Sequence, residues 1–247
     1  MIITETNVIY NEDCLEGMKR LPNKSIDMIL CDLPYGTTAN KWDVIIPFDK
    51  LWLQYERLIK DNGAIVLTAS QPFTTEVIAS NKKLFRYELI WEKDNATGFL
   101  AAHIKPMKIH ENILVFYKSI PIYNPQMRDG FTPYKAKNGM GSTNYRPQKE
   151  VVTESDGKRY PISVLKFKRD KEKIHPTQKP TALFEYLIKT FTNKDDIVLD
   201  NCMGSGTTAV ACLNTERQFI GFETNKEYFE KSLERLKNNV TQIDLFG

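Results

Sequence analysis

The residues Ile26-Asp27-Met28-Ile29-Leu30-Cys31 form an apolar run, broken by one acid, that ends in Asp32-Leu33-Pro34-Tyr35-Gly36. Such a run reads as a buried strand, and the proline and glycine stop it. One carboxylate and one aromatic ring are thereby presented at its carboxyl end, the edge where open α/β sheets bind ligands. The same grammar repeats along the chain. Asn7–Tyr10, Ala64–Ala69, Phe85–Trp91, Glu111–Tyr117, Asp196–Asp200 and Phe219–Glu223 are strand candidates. Leu15–Leu21, Lys50–Lys60, Thr74–Asn81, Thr181–Phe191, a segment from Thr207 and Glu227–Lys237 have helical spacing, with Asp61-Asn62-Gly63 as the expected stop of the second. This alternation predicts an α/β fold, a mostly parallel sheet with helices on both faces.

A chain of 247 residues holds one sizeable α/β domain, or one domain with an insertion. No run of eighteen apolar residues occurs, and Met1–Glu5 lacks the pattern of a signal peptide, so a cytoplasmic protein without a membrane partner is expected. The four cysteines (Cys14, Cys31, Cys202, Cys212) are scattered and read as buried reduced thiols, with no metal site. His103 and His110 read as structural.

The net charge of +3 is unevenly spread. Residues 118–174 hold 13 Lys and Arg against 6 Asp and Glu, and the remainder holds 21 against 25. In that middle segment periodicity dissolves among prolines and glycines, and aromatics (Tyr123, Phe131, Tyr134, Tyr145, Tyr160, Phe167) interleave with the cations. Basic plus aromatic composition suits a nucleic-acid partner, and a solvated, flexible insertion is the plainer reading. The expected division is a catalytic domain of 1–117 plus 175–247 and an insertion of 118–174.

Near the end, Asp200 closes a strand and Asn201-Cys202-Met203-Gly204-Ser205-Gly206 leads into a helix. Glycines there let a ligand approach the backbone, and a helix amino terminus offers free N–H groups. Thr207 stands where a phosphate-binding loop would need lysine, which excludes that motif. Gly204, Gly206 and Ala209 fit a dinucleotide turn, with Glu223 closing the next strand; an S-adenosylmethionine turn fits too, and Asp200 suits that cationic, phosphate-free ligand better than a pyrophosphate. An ordinary strand-to-helix turn remains a third reading.

Asp32-Leu33-Pro34-Tyr35 suits methylation of an exocyclic amine, whose lone pair is delocalised into its base. Two acceptors, the Asp32 carboxylate and the Leu33 carbonyl, would localise that pair, and Tyr35 offers a face to a base flipped from the duplex. Such chemistry requires no tuned general base.

Three segments in order, Asp32-Leu33-Pro34-Tyr35, His175-Pro176-Thr177-Gln178-Lys179-Pro180 and Asp200 through Gly206, resemble the amino DNA methyltransferases (N6-adenine or N4-cytosine) in their β-class, circularly permuted order. The resemblance spans roughly residues 7–117 and 175–237 and implies a Rossmann-like methyltransferase fold with a target-recognition insertion. It implies cofactor contacts from Asp13, Asp32, Thr177, Gln178, Lys179, Asp200, Met203, Gly204, Gly206 and Glu223, with Asp13 near the adenine ring, Glu223 on the ribose and Lys179 on the methionine carboxylate. Catalysis falls to Asp32, Leu33, Pro34 and Tyr35, and Leu33 departs from the proline usual there. Asp at the first position favours adenine-N6 over cytosine-N4. No cysteine follows a proline, which counts against carbon-5 methylation.

Candidate contacts to double-stranded DNA are Arg128, Lys135, Lys137, Arg146, Lys158 and Arg159. The resemblance adds a homodimer and a cognate restriction endonuclease as partners to test. Trp42-Asp43 is a candidate wall of the base pocket or an ordinary loop closed by a buried Trp, and Trp91-Glu92-Lys93 a candidate contact to cofactor or DNA at the same edge. Two rival classes are a nicotinamide oxidoreductase, which leaves Asp32–Tyr35 idle, and a non-enzymatic DNA binder, which leaves the glycine turn idle.

Overall fold

The computed structural model describes residues 2–37, 40, 43–138, 151–171 and 178–246. Strand β1 (Val8–Tyr10) leads through α1 (Cys14–Met18) to β2 (Ile26–Asp32), the strand expected from the apolar run. Then come α2 (Phe48–Leu58), β3 (Ile59–Ala69), α3 (Phe73–Ser80), β4 (Phe85–Thr97) and β5 (Lys108–Phe116). The chain continues through β6 (Tyr134–Asn138), β7 (Val151–Ser155), β8 (Val164–Lys166), α4 (Thr181–Phe191), β9 (Ile197–Asp200), α5 (Thr207–Asn214), β10 (Gln218–Phe222) and α6 (Lys226–Phe246).

Among the described residues the main sheet has eight strands in the order β1-β10-β9-β2-β3-β5-β4-β8. The five strands from β1 to β3 run parallel, β5 is antiparallel to β3 and β4, and β8 joins β4 in parallel. Alternate residues of β2 enter separate cores. Ile29 and Cys31 pack with Met18, Leu51, Tyr55 and Phe73 from α1, α2 and α3, while Met28 and Leu30 pack with Leu183, Phe184, Ala209 and Ala211 from α4 and α5. A strand's period of two meets an apolar layer on both sides, and therefore β2 reads as a nearly continuous hydrophobic run.

Three sequence expectations change. Asp61-Asn62-Gly63 is not a helix stop: α2 ends at Leu58 and the chain passes directly into β3, where pairing slips between Ile26↔Ile59 and Met28↔Ala64. A bulge, like a helix end, is rich in turn-forming residues, so the letters alone do not separate the two. Trp91 is 2% exposed and donates its indole N–H to Phe167 O at 2.9 Å, which makes it core rather than a site contact. The patternless middle contains strands: β8 at Val164–Lys166 returns to the main sheet, and β6 pairs with β7 as an antiparallel ribbon.

Contacts divide the chain into two compact units, 1–124 with 163–247, and 125–162. The smaller lies inside the basic span of 118–174. Arg128 and Arg159 tie it together by a reciprocal backbone pair. The Arg159 guanidinium lies 4.5 Å from the Tyr134 ring centre and donates to Thr132 O at 2.7 Å, and that of Arg128 donates to Tyr160 O at 3.0 Å. Part of the positive excess belongs to the larger unit, where Arg169 pairs with Asp94 at 2.9 Å and Lys166 with Glu92 at 3.1 Å. Among the described residues no helix is long and apolar enough to cross a membrane.

Candidate active site

Parallel strands end on one side, so Tyr10, Phe222, Asp200, Asp32 and Ala69 bring their following loops to one edge of the larger unit. A cavity of about 470 Å³ opens there, within the usual range for small-molecule sites. Asp13, Asp32, Leu33, Pro34, Tyr35, Gln178, Lys179, Asp200, Met203, Gly204 and Glu223 all line it. Residues from both ends of the chain thus converge, because β9 and β10 insert between β1 and β2.

Asp32 is held by three donors at this edge. Its Oδ1 accepts from the Tyr35 hydroxyl at 2.8 Å and from the Thr68 hydroxyl, and Oδ2 accepts from Lys179 Nζ at 2.6 Å. A carboxylate offers about four acceptor positions, so these donors leave one on Oδ2. Tyr35 stacks on Phe73 with ring centres 5.0 Å apart, and burial and then the Asp32 charge raise its pKa well above the ordinary value, keeping the phenol a donor. Burial works against the Lys179 ammonium, but Asp32 and then Glu111 outweigh it and hold its pKa above that of a free lysine. Sequence reading placed Lys179 on a ligand carboxylate; in the structure it spans two protein acids.

The loop after Tyr35 is clamped. Asp43, itself buried, accepts the Gly36 N–H at 2.8 Å and the Thr37 N–H at 2.9 Å. Gly36 has φ +66° and a Cβ there would lie 2.9 Å from Ile45 Cγ1, so this turn requires glycine. Leu33 is 3% exposed and packs in the core beneath, leaving mainly its backbone for the cavity.

The glycine turn is built around two acids, the buried Asp200 and the half-buried Glu223. Asp200 accepts from the Cys202 N–H at 3.0 Å and from the Thr208 hydroxyl, tying the strand end to the first turn of α5, and burial pushes its carboxyl up to about 6. Glu223 accepts from the Gly204 N–H at 2.8 Å and the Asn225 N–H at 2.7 Å, while burial raises its pKa. Gly206 caps α5 at φ +77°, and a Cβ there would meet Ser232 Cβ at 3.1 Å. The Met203 side chain is buried and packs over Gly221. Asp13 caps α1 by accepting from the Leu15 N–H at 2.9 Å and the Glu16 N–H at 3.2 Å.

Gln178 donates to Asp170 Oδ2 at 3.0 Å, and the same carboxylate accepts from the Thr181 hydroxyl at 2.8 Å and the Thr181 N–H at 3.2 Å. Asp170 therefore caps α4 from eleven residues before its first residue and fixes the segment that carries Lys179. Sequence reading did not single out Asp170, Thr68 or Glu111. The positions Thr177, Arg146 and Trp42 lie outside the described residues, and Lys135, Lys137 and Lys158 are exposed on the smaller unit. All four cysteines are free, and burial pushes the Cys31 thiol up to about 12, so it is no nucleophile at neutral pH. Among the described residues no group of three or more His, Cys, Asp or Glu is placed to hold a metal ion.

A family model described as DNA methylase, of the N6/N4 type, matches residues 26–234. The chain is 28% identical over 246 residues to DNA adenine methyltransferase YhdJ of Escherichia coli (strain K12), covering 94% of this chain and 83% of that protein. It is 27% identical to the Type II methyltransferase M.HpaI of Haemophilus parainfluenzae, covering 94% of this chain and 74% of that one. Among solved structures, the M1.HpyAVI–SAM complex aligns with a TM-score of 0.62 at 28% identity, over 92% of this chain and 98% of that one. The PvuII DNA methyltransferase (cytosine-N4-specific) aligns with a TM-score of 0.66 at 16% identity, over 98% and 94%, a likeness of fold.

Proposed function

The chain belongs to the DNA methylase family of N6/N4 amino methyltransferases, and from that premise we propose that it moves a methyl group from S-adenosylmethionine to the exocyclic N6 of a flipped adenine in DNA. The observation that carries this reading is Asp32, which keeps one acceptor position in a cavity it shares with the glycine turn.

The lining fits such a cofactor. Asp13, Asp32, Asp200 and Glu223 surround the cavity, and its one lining cation, Lys179 among the described residues, is engaged by acids. That balance suits a cationic, hydroxyl-bearing ligand and opposes a pyrophosphate, which disfavours the nicotinamide reading. When bound, S-adenosylmethionine supplies an electrophilic methyl on a positive sulfur. Glu223 would take its ribose hydroxyls, Asp13 would lie near its adenine, and Met203 and Gly204 would line the methionine part, whereas Gly206 lies off the cavity wall and shapes the turn as the cap of α5. Thr177, Gln178 and the remaining N–H of Lys179 would close over that end.

Asp32 Oδ2 and the Leu33 carbonyl would accept the two N–H bonds of the target amine and turn its lone pair toward the methyl. Tyr35 and Pro34 would hold the base. As the nitrogen–carbon bond forms, positive charge grows on nitrogen beside the Asp32 anion, which stabilises it. The proton leaves afterwards. We read Lys135, Lys137 and Lys158 as phosphate contacts, and Arg128 and Arg159 as residues that shape the basic unit presenting them. A homodimer and a cognate endonuclease belong to the same reading, checked by sedimentation and by protection of methylated DNA from digestion.

Asp at position 32 and the adenine-named relative support N6 over N4 of cytosine. Mass spectrometry of hydrolysed product DNA decides between them. Asp32→Ala is expected to abolish transfer while cofactor binding, followed by calorimetry, is largely kept; methylation of no DNA by the wild-type protein would overturn the proposal.

A further inference from the structure

Asp32, itself 24% exposed, is one end of a largely buried row of alternating charges. Lys93 Nζ lies 2.5 Å from Glu111 Oε1, Glu111 Oε2 lies 3.4 Å from Lys179 Nζ, and Lys179 Nζ lies 2.6 Å from Asp32 Oδ2. The Lys93, Glu111 and Lys179 side chains are only 10%, 14% and 6% exposed. The row crosses β4, β5, the entry to α4 and the end of β2. It can do so because β5 is antiparallel, which sets Glu111, near its start, at the edge where β2 and β3 end. Glu111 Oε2 is buried with no hydrogen-bond partner among the described residues, only the ionic contact to Lys179. An unsatisfied buried carboxylate oxygen is costly and calls for a reason.

We propose that Glu111 is a positioning residue for methyl transfer: by sharing the Lys179 ammonium, it lets Lys179 orient Asp32 without cancelling the negative potential that Asp32 offers to the target amine. This rests on the reading of Asp32 as acceptor of that amine. In the transfer the nitrogen–carbon bond forms and the carbon–sulfur bond breaks. Positive charge passes from sulfur to nitrogen, and the amine proton leaves after it. The four-membered row is neutral, with Lys93 and Lys179 balanced by Glu111 and Asp32. Without the Glu111 charge, two buried cations would face one anion at the point where charge builds up. Lys179, no longer shared, would also be drawn onto the Oδ2 position that the amine needs.

The test compares single-turnover methyl transfer, cofactor affinity and thermal stability of the full chain and four variants. Glu111→Gln is expected to slow transfer roughly tenfold, about 1.4 kcal/mol, without a comparable loss of cofactor affinity. Glu111→Asp should retain more of the rate than Glu111→Gln. The double variant Lys93→Met/Glu111→Gln, neutral again, should recover several-fold over Glu111→Gln, which a merely structural role could not produce. A wild-type rate in Glu111→Gln, or a double variant slower than the single one, overturns the inference. Asp32→Ala separates the two readings. If it still transfers methyl groups, the acceptor assignment falls; if it is inactive while Glu111→Gln is unimpaired, only the role of Glu111 falls.

Discussion

Asp200 gives a stability signal with a definite sign. It is 3% exposed, and burial raises its pKa from an ordinary 3.8 to about 6, a rise only partly offset by the Thr208 hydroxyl and the Cys202 N–H. The folded protein therefore holds this proton more tightly than the unfolded chain. Its contribution is fully present below about pH 4 and is lost as pH rises through about 6. The gap of about two pH units corresponds to about 3 kcal/mol. Asp200→Asn imitates the protonated carboxyl, because the amide oxygen still accepts the Cys202 N–H and the amide nitrogen meets Thr208. The variant should exceed wild type by about 3 kcal/mol at pH 8, or roughly 6–12 °C in melting temperature for a domain of this size, and match it near pH 4. Urea unfolding of both ligand-free proteins across that range, followed by tryptophan fluorescence, gives the difference curve, in which the other carboxylates cancel. A flat difference, or a variant less stable than wild type at pH 8, refutes the reasoning. The same variant should bind the cofactor more weakly, since the cavity loses a negative charge.

Asp43→Ala removes the acceptor of the Gly36 and Thr37 N–H groups; we expect a fall in kcat of roughly tenfold with a smaller change in cofactor affinity, measured by steady-state methyl transfer. Gly206→Ala forces a side chain into φ +77° against Ser232 and should cost about 1–2 kcal/mol and weaken cofactor binding in calorimetry. Replacing Lys135 and Lys158 together by Gln should weaken binding to all DNA sequences alike and flatten the slope of log affinity against log salt by about 2, read by fluorescence anisotropy.

The strands nearest the site were legible because their letters carry two signals at once. Ile26–Cys31 is apolar apart from Asp27 since α1–α3 and α4–α5 cover its two faces, and Asp200 and Glu223 announce strand ends by interrupting similar runs. Glu111 carries the same signal in reverse, an acid that opens an apolar strand instead of closing one. Only the antiparallel pairing Ala69↔Asn112 puts it at the site edge, and strand direction is not written in a single run of letters. Asp170 was silent for another reason. It caps a helix that begins at Thr181, beyond the short range in which capping patterns are read. In the basic segment, β6 and β7 carry exposed Tyr134, Lys135, Lys137 and Val152, so no apolar face marks them as strands. The partners of Lys179 are illegible in its own segment, because the two acids it meets come from β2 and β5.

Leu33, the one departure in the Asp32–Tyr35 segment, changes meaning in this setting. A proline would fix the backbone by its ring, whereas leucine leaves φ free. Here the side chain is 3% exposed in the core that also holds Phe73 and Leu51, and burying a leucine is worth about 1.5–3 kcal/mol. That anchor restrains the backbone from below. Asp43 restrains it from the far side through two N–H bonds, one residue and two residues after Tyr35. The carbonyl that the reaction calls on at position 33 is therefore held by packing and a clamp in place of a ring. It follows that Leu33→Pro should be nearly neutral for transfer rate while Leu33→Ala, which empties the anchor, should lower both rate and melting temperature.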